Sequence, residues 1–305
     1  MNGSMKIWIS LLIVAALAWA APVAAEQEPV LPEGSLFVDV AQAQNLIDQG
    51  ATVIDARERR DHRRAHIPGA FNIPWQAFVS GPESGEVIAD DDRLQTLLRT
   101  AGISNDRPVV IYGNWSNQGA WGEEGRLYWT LDYLGHDNLH ILDGGLSAWI
   151  ASERSTTFAG LRRPTAPEAG DFTIDRREDR RITTEALRQS LATDQSPTLI
   201  DTRERVEFDG EIKYGESRPG HIEGATHLWW RSFFDESGQL RSASEIESDL
   251  SARGIEKDST IVVYCTGGIR SGFVYAVLRA LGFENVQNYD ASMWEWTRDE
   301  DAPLG

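Results

Sequence analysis

Short, unbroken apolar runs punctuate the chain, and polar stretches with helical periodicity lie between them. Val109-Val110-Ile111-Tyr112 and Ile261-Val262-Val263-Tyr264 are the clearest runs, with Val53-Ile54 and Leu199-Ile200 as shorter ones. Continuous runs rich in Val and Ile predict strands buried on both faces of a parallel sheet. Leu127, Leu131 and Leu134 form a stripe at helical spacing before Gly135, and Val274, Val277, Leu278 and Leu281 form another before Gly282. These stripes predict core-facing helices, each ended by a glycine.

The pattern is written twice. Val53-Ile54-Asp55-Ala56-Arg57-Glu58-Arg59 returns as Leu199-Ile200-Asp201-Thr202-Arg203-Glu204-Arg205, and His66-Ile67-Pro68-Gly69-Ala70 as His221-Ile222-Glu223-Gly224-Ala225. Leu142-Asp143 through Trp149 matches Tyr289-Asp290 through Trp296. A period of about 150 residues marks one duplicated domain, not a solenoid. The expected fold class is α/β: two tandem domains, each a parallel β-sheet flanked by α-helices. The expected boundaries are 32–151 for the first domain and 181–300 for the second. Residues 152–180 read as a linker, because Ser152, Ser155, Pro164, Pro167, Gly170 and the charged run from Asp175 to Arg181 predict an extended, solvated connector.

Composition adds three things. At 305 residues, 41% hydrophobic and 25% charged, each half has enough apolar material for a core. The formal net charge of −18 repels phosphate backbones and anionic membrane surfaces, which argues against nucleic acid as a partner. The first 25 residues differ from the rest. Lys6 precedes an apolar run from Ile7 to Ala21, and Val23-Ala24-Ala25 supplies small residues at a cleavage point. This predicts a secretory signal peptide at 1–25 and a periplasmic or secreted protein with no membrane association after cleavage. An uncleaved anchor is the alternative.

Cys265 is the only cysteine, so no disulfide forms within the chain. It stands in Tyr264-Cys265-Thr266-Gly267-Gly268-Ile269-Arg270-Ser271. The strand ends at Tyr264, and a helix is expected to begin near Arg270 or Ser271, with Ser271 as its N-cap. That puts Cys265 at the carboxyl end of a parallel strand, where open α/β sheets hold ligands. Gly267 and Gly268 let the backbone curl so that N–H groups point inward, a nest for an anion. Arg270 supplies a permanent charge within reach of a ligand on the sulfur. Asp201, ending a buried strand and repeated as Asp55, is expected to tie down neighbouring turns, and His66 and His221 are read as structural.

The loop resembles the active loop of the rhodanese family, specifically its tandem thiosulfate sulfurtransferases. Arg218 to Ala225, Glu207-Phe208-Asp209-Gly210 and the final segment Tyr289 to Trp296 resemble further signatures of that family. The resemblance implies a thiosulfate:cyanide type sulfurtransferase. Cys265 is then the catalytic residue and passes a sulfane sulfur, as a persulfide, from a small donor to cyanide or a thiol. It also implies a substrate-binding ring of Thr266, Gly267, Gly268, Ile269 and Arg270, with Asp201 and Ser271 supporting. In the first copy Gly113 aligns with Cys265, and the loop from Asn114 to Glu124 is five residues longer. That copy is expected to scaffold the cleft as one of its walls, with Trp115 and Trp121 read as interdomain packing and lining of that wall as the alternative. Glu207 stands where mercaptopyruvate-type relatives carry an arginine, and one cation in the ring is expected to favour thiosulfate over mercaptopyruvate.

Two other functions fit parts of this pattern. A cysteine-dependent phosphatase uses a similar cradle but needs five residues between Cys and Arg, and here four intervene. A sulfur carrier would load the same cysteine without multiple turnover. No metal or other cofactor is expected: the histidines form no ligand cluster with Cys265, and Gly135 separates His136 and His140 from the preceding helix.

Overall fold

The structure is a computed structural model that describes residues 36–114, 119–158, 168–193 and 196–305. The leader expected at 1–25, Trp115, Pro164 and Pro167 lie outside the described residues.

In the first half, strands β1 (Phe37–Val38), β2 (Thr52–Asp55), β3 (Phe71–Asn72), β4 (Val109–Tyr112) and β5 (Leu139–Leu142) form a sheet in the order β1-β5-β4-β2-β3. In the second, β6 (Thr198–Asp201), β7 (Thr226–His227), β8 (Ile261–Tyr264) and β9 (Val286–Asn288) follow the order β7-β6-β8-β9. Every pairing within these sheets is parallel. Val109–Tyr112 and Ile261–Tyr264 are the fully buried central strands, as their unbroken apolar character requires. The second sheet lacks a full counterpart of β1, but Arg181 makes a single parallel bridge to Asn288 at that edge.

Helices α1 (Val40–Asp48), α2 (Arg59–Arg64), α3 (Asp91–Thr100), α4 (Glu123–Tyr133) and α5 (Gly145–Ala151) flank the first sheet. Around the second lie α6 (Thr184–Leu191), α7 (Arg205–Phe208), α8 (Ala243–Ser251), α9 (Ile269–Ala280) and α10 (Ser292–Trp296). Local chemistry sets several starts. Asp39 with Gln42, and Ser242 with Glu245, form reciprocal capping boxes at α1 and α8.

The halves meet where α4 crosses α9. Each helix brings a glycine to the crossing. A Cβ on Gly125 would strike Phe273, and one on Gly272 would lie 2.8 Å from the Arg126 Cα. Almost every residue of both helices is buried, and one apolar cluster runs continuously from Ile54 and Ile111 through Leu127 and Phe273 to Ile200 and Val263. The Tyr275 hydroxyl donates to Asp132 across the boundary at 2.6 Å.

The expectation of a solvated connector fails between Gly170 and Arg181. Phe172 is fully buried, and its N–H donates to Ile103 O. Arg176 grips Asp91, Arg177 pairs with Asp132 and Asp137, and Arg181 pairs with Asp290 and Glu86. Composition misled here because the acidic partners sit far away in sequence. The run binds both halves together as a docked strap.

Candidate active site

Strand β8 delivers Cys265 to the sheet's carboxyl edge, and α9 starts only four residues later. The helix begins at Ile269, one residue earlier than expected, because Gly268 takes the left-handed conformation (φ +79°) and acts as its N-cap. Ser271 is therefore not the cap. It lies inside the first turn, where its hydroxyl donates to Asn288 Oδ1 at 2.7 Å and stands 3.8 Å from the Cys265 sulfur. Gly267 has a different requirement: a Cβ there would collide with the Trp294 ring.

The sulfur is 1% exposed at the residue level and accepts from the Gly268 N–H at 3.1 Å. The rest of the loop is held from outside. The Cys265 N–H donates to Ser292 Oγ at 3.2 Å, while the N–H groups of Met293 and Trp294 donate to the carbonyls of Cys265 and Thr266. Asn288 Nδ2 donates to Gly268 O at 3.3 Å. Burial pushes the Cys265 thiol up. The Arg270 charge, the N–H groups of Ser271 and Gly267, and the Ser271 hydroxyl outweigh it, leaving the thiol below its ordinary value. These contacts favour the thiolate despite the burial of the side chain.

Arg270 does not reach toward the sulfur as a free cation. Its guanidinium makes a fork with Glu207, Nη1 to Oε2 at 2.6 Å and Nη2 to Oε1 at 2.9 Å, and Nη2 also donates to Thr266 Oγ1 at 2.7 Å. Thr266 Oγ1 lies 3.1 Å from both Glu207 and Glu216. Burial disfavours the Glu207 carboxylate, yet Arg270 holds it below the usual range. Arg270, expected to bind the donor, lines the cavity with its guanidinium held in a buried ion pair, from which its charge favours the thiolate. Glu216 was not distinguishable in the sequence, since it belongs to no repeated motif.

Asp201 sits behind this cluster. It accepts a fork from Arg203 (2.7 Å at the closest), and Arg203 also donates to Gly220 O, tying the strand end to the following turn. Asp55 and Arg57 repeat the arrangement in the first half. His66 Nδ1 meets His62 O and His221 Nδ1 meets Phe208 O, and neither histidine lines the cavity at Cys265.

A cavity of about 130 Å³ opens above Cys265. Its floor is the loop from Cys265 to Arg270, and its walls are Trp75 and Trp121 from the first half and Tyr214 and Trp294 from the second. Trp121 both packs between the halves, edge-on to Tyr214 with ring centroids 5.2 Å apart, and faces the cavity. The Arg270 guanidinium lies 5.5 Å and 5.4 Å from the Trp121 and Tyr214 ring centroids.

The first half offers no equivalent. Where Cys265 carries its thiol, Gly113 has no side chain, and a Cβ there would run into the Glu124 carboxyl. Glu124 is fully buried, and neither of its oxygens finds a hydrogen-bond partner among the described residues. Burial raises it to about 8, aided by the neighbouring Glu123. Among the described residues no group of three potential metal ligands gathers, and no helix is long and apolar enough to cross a membrane.

Known proteins give the same picture. The model of the rhodanese-like domain matches residues 39–152 and again 183–299. A thiosulfate sulfurtransferase of Corynebacterium glutamicum is 35% identical over 76% of this chain and 76% of that protein. One of Azotobacter vinelandii is 31% identical over 83% and 90%. The sulfur carrier protein TtuD of Thermus thermophilus is 32% identical over 76% and 82%. Among solved structures, an EanB variant in complex with ergothioneine superposes with a TM-score of 0.78, at 22% identity over 88% of this chain and 69% of that one. YnjE superposes with a TM-score of 0.76, at 24% identity over 88% and 68%. With the domain present twice and relatives above 30% identity along most of its length, the chain belongs to the rhodanese-like family, in its tandem-domain form.

Proposed function

We propose that the chain is a thiosulfate sulfurtransferase that carries sulfur on Cys265. The observation that carries this reading is the Gly268 N–H aimed at the Cys265 sulfur at 3.1 Å, beneath an open cavity. In the first step the thiolate attacks the outer sulfur of thiosulfate. The S–S bond breaks, sulfite leaves with the bonding pair, and Cys265 becomes a persulfide. In the second step cyanide or a thiol attacks the terminal sulfur, and the electron pair returns to Cys265 as thiolate. Splitting the transfer gives ping-pong kinetics. Thr266, Gly267, Gly268 and Ile269 supply the ring around the bound sulfur, Arg270 acts through space, and Ser271 and Asp201 support the loop.

The paired state of Arg270 argues against the phosphatase alternative, whose arginine must turn into the ring to meet phosphate oxygens. Arg270 lines the cavity while paired with Glu207, so a doubly charged donor would meet it as part of that pair. The likeness to a sulfur carrier protein supports a second reading, in which loading occurs without multiple turnover. The charge pattern of the first 25 residues supports export, with transfer taking place outside the cytoplasm.

Intact mass after thiosulfate treatment tests the first step. A gain of one sulfur atom, removed by reductant and missing in Cys265→Ser, is the expected result. No mass gain on the wild-type chain would sink the reading. Thiocyanate release with excess thiosulfate and cyanide then separates enzyme from carrier: sustained release against a single stoichiometric burst.

A further inference from the structure

Arg126 belongs to α4, in the half without a cysteine, and its side chain ends behind the sulfur loop of the other half. It is completely buried. Its guanidinium has no carboxylate partner among the described residues. Nη1 donates to Gly267 O at 3.4 Å, Nη2 donates to Gly85 O, and Nε donates to nothing. The guanidinium stacks over Trp129, 4.7 Å from the ring centroid. Buried arginines are usually held by a carboxylate, because taking a cation out of water is costly. Asp290, the acid whose charge acts most strongly on Arg126, is already taken by Arg181 at 2.8 Å and by the Val87 N–H at 2.9 Å.

We propose that Arg126 is a positioning residue for sulfur transfer, aiming and polarising the Gly267–Gly268 peptide at the Cys265 sulfur and balancing the negative charge that forms there. The idea builds on Cys265 being the sulfur-carrying group. Its geometric basis is the planarity of one peptide. In a trans peptide the C=O and the N–H point in opposite directions. Arg126 pulls on the Gly267 carbonyl, and the Gly268 N–H on the other side of the same plane meets the sulfur at 3.1 Å. A charged donor on the carbonyl strengthens the N–H as a donor in turn. The loop also leaves room for this contact: a Cβ on Gly268 would occupy the position of Arg126 Nη1.

The second half supplies the Arg270 charge, and Arg126 adds to it from the other side of the loop. Beneath the loop Arg203 and Arg270 face Asp201, Glu207 and Glu216, two cations against three carboxylates. Burial lowers Arg126 to about 10, while Asp290 and then the Cys265 sulfur favour its charged form, so cation and thiolate support each other.

The test uses the full chain with Arg126→Gln and Arg126→Lys, following alkylation of Cys265 by iodoacetamide against pH. Arg126→Gln should move the profile to higher pH and slow alkylation at pH 6 by about three- to tenfold. Arg126→Lys should keep more of the wild-type rate than Arg126→Gln. Removing a buried charge that has no carboxylate partner relieves a desolvation cost, so Arg126→Gln should fold, which circular dichroism checks. A folded Arg126→Gln with the wild-type profile overturns the proposal. So does an unfolded one, which would make the arginine a structural tie. Alkylation requires no sulfur donor, so this result stands or falls separately from persulfide loading of the wild-type chain.

Discussion

At the scale of single residues, the chemistry turns on which charges are already paired. Glu207 spends both oxygens on Arg270. Glu207→Gln should therefore release the arginine toward the sulfur and shift Cys265 alkylation to lower pH. It should also lower stability by about 3 kcal/mol, because one member of a buried pair is left alone, and a urea titration measures this. Glu124 gives a pH signature in the other half. Its carboxyl is held neutral up to about 8 in the folded chain, whereas the unfolded carboxyl ionises near its ordinary value of 4.5. Between these values the unfolded state binds fewer protons, so this group costs stability as pH rises through that window. Glu124→Gln should raise the melting temperature at pH 8 and change it little at pH 4. An equal shift at both pH values would refute the assignment. The sequence disclosed Cys265 and its glycines because those residues are neighbours in the chain. Arg126 and Glu216 stayed hidden because each reaches the site from a distant segment, and nothing local marks either as more than an ordinary surface charge.

At the scale of elements, the strand–loop–helix unit is specified by two glycines with different duties. Gly268 starts α9 in a left-handed conformation, and Gly267 lies flat under Trp294. Gly267→Ala should displace the indole or the loop, reducing sulfur transfer at least about tenfold for a folding cost of roughly 1–3 kcal/mol. Transfer at the wild-type rate would show that the loop tolerates the shift. The central strands were legible from their unbroken Val and Ile runs, and both helix stripes from their spacing. The start of α9 was not, since Ser271 is a good N-cap by residue type. What decided against it was Gly268, whose backbone begins the helix first and frees the serine hydroxyl for Asn288.

At the scale of the whole molecule, the halves depend on each other. The α4–α9 crossing, the docked strap through Arg181 and the Arg126 contact all cross between them. Residues 181–305 expressed alone would expose the apolar face of α9 and lose Arg126. Such a fragment should self-associate in sedimentation, and its Cys265 should alkylate more slowly at pH 6 than in the full chain. The duplication itself was plain in the sequence. The docking of the strap was not, because a polar, charged segment looks solvated until its acidic partners are located in the fold.

The plugged position in the first half restricts the paths open to this chain by mutation. A thiol placed at Gly113 would run into the Glu124 carboxyl, so seating sulfur there takes two changes, one at each position. The two halves are thereby unequal by construction: a single substitution in the first cannot give the chain a second sulfur seat, and all sulfur chemistry must pass through the other half.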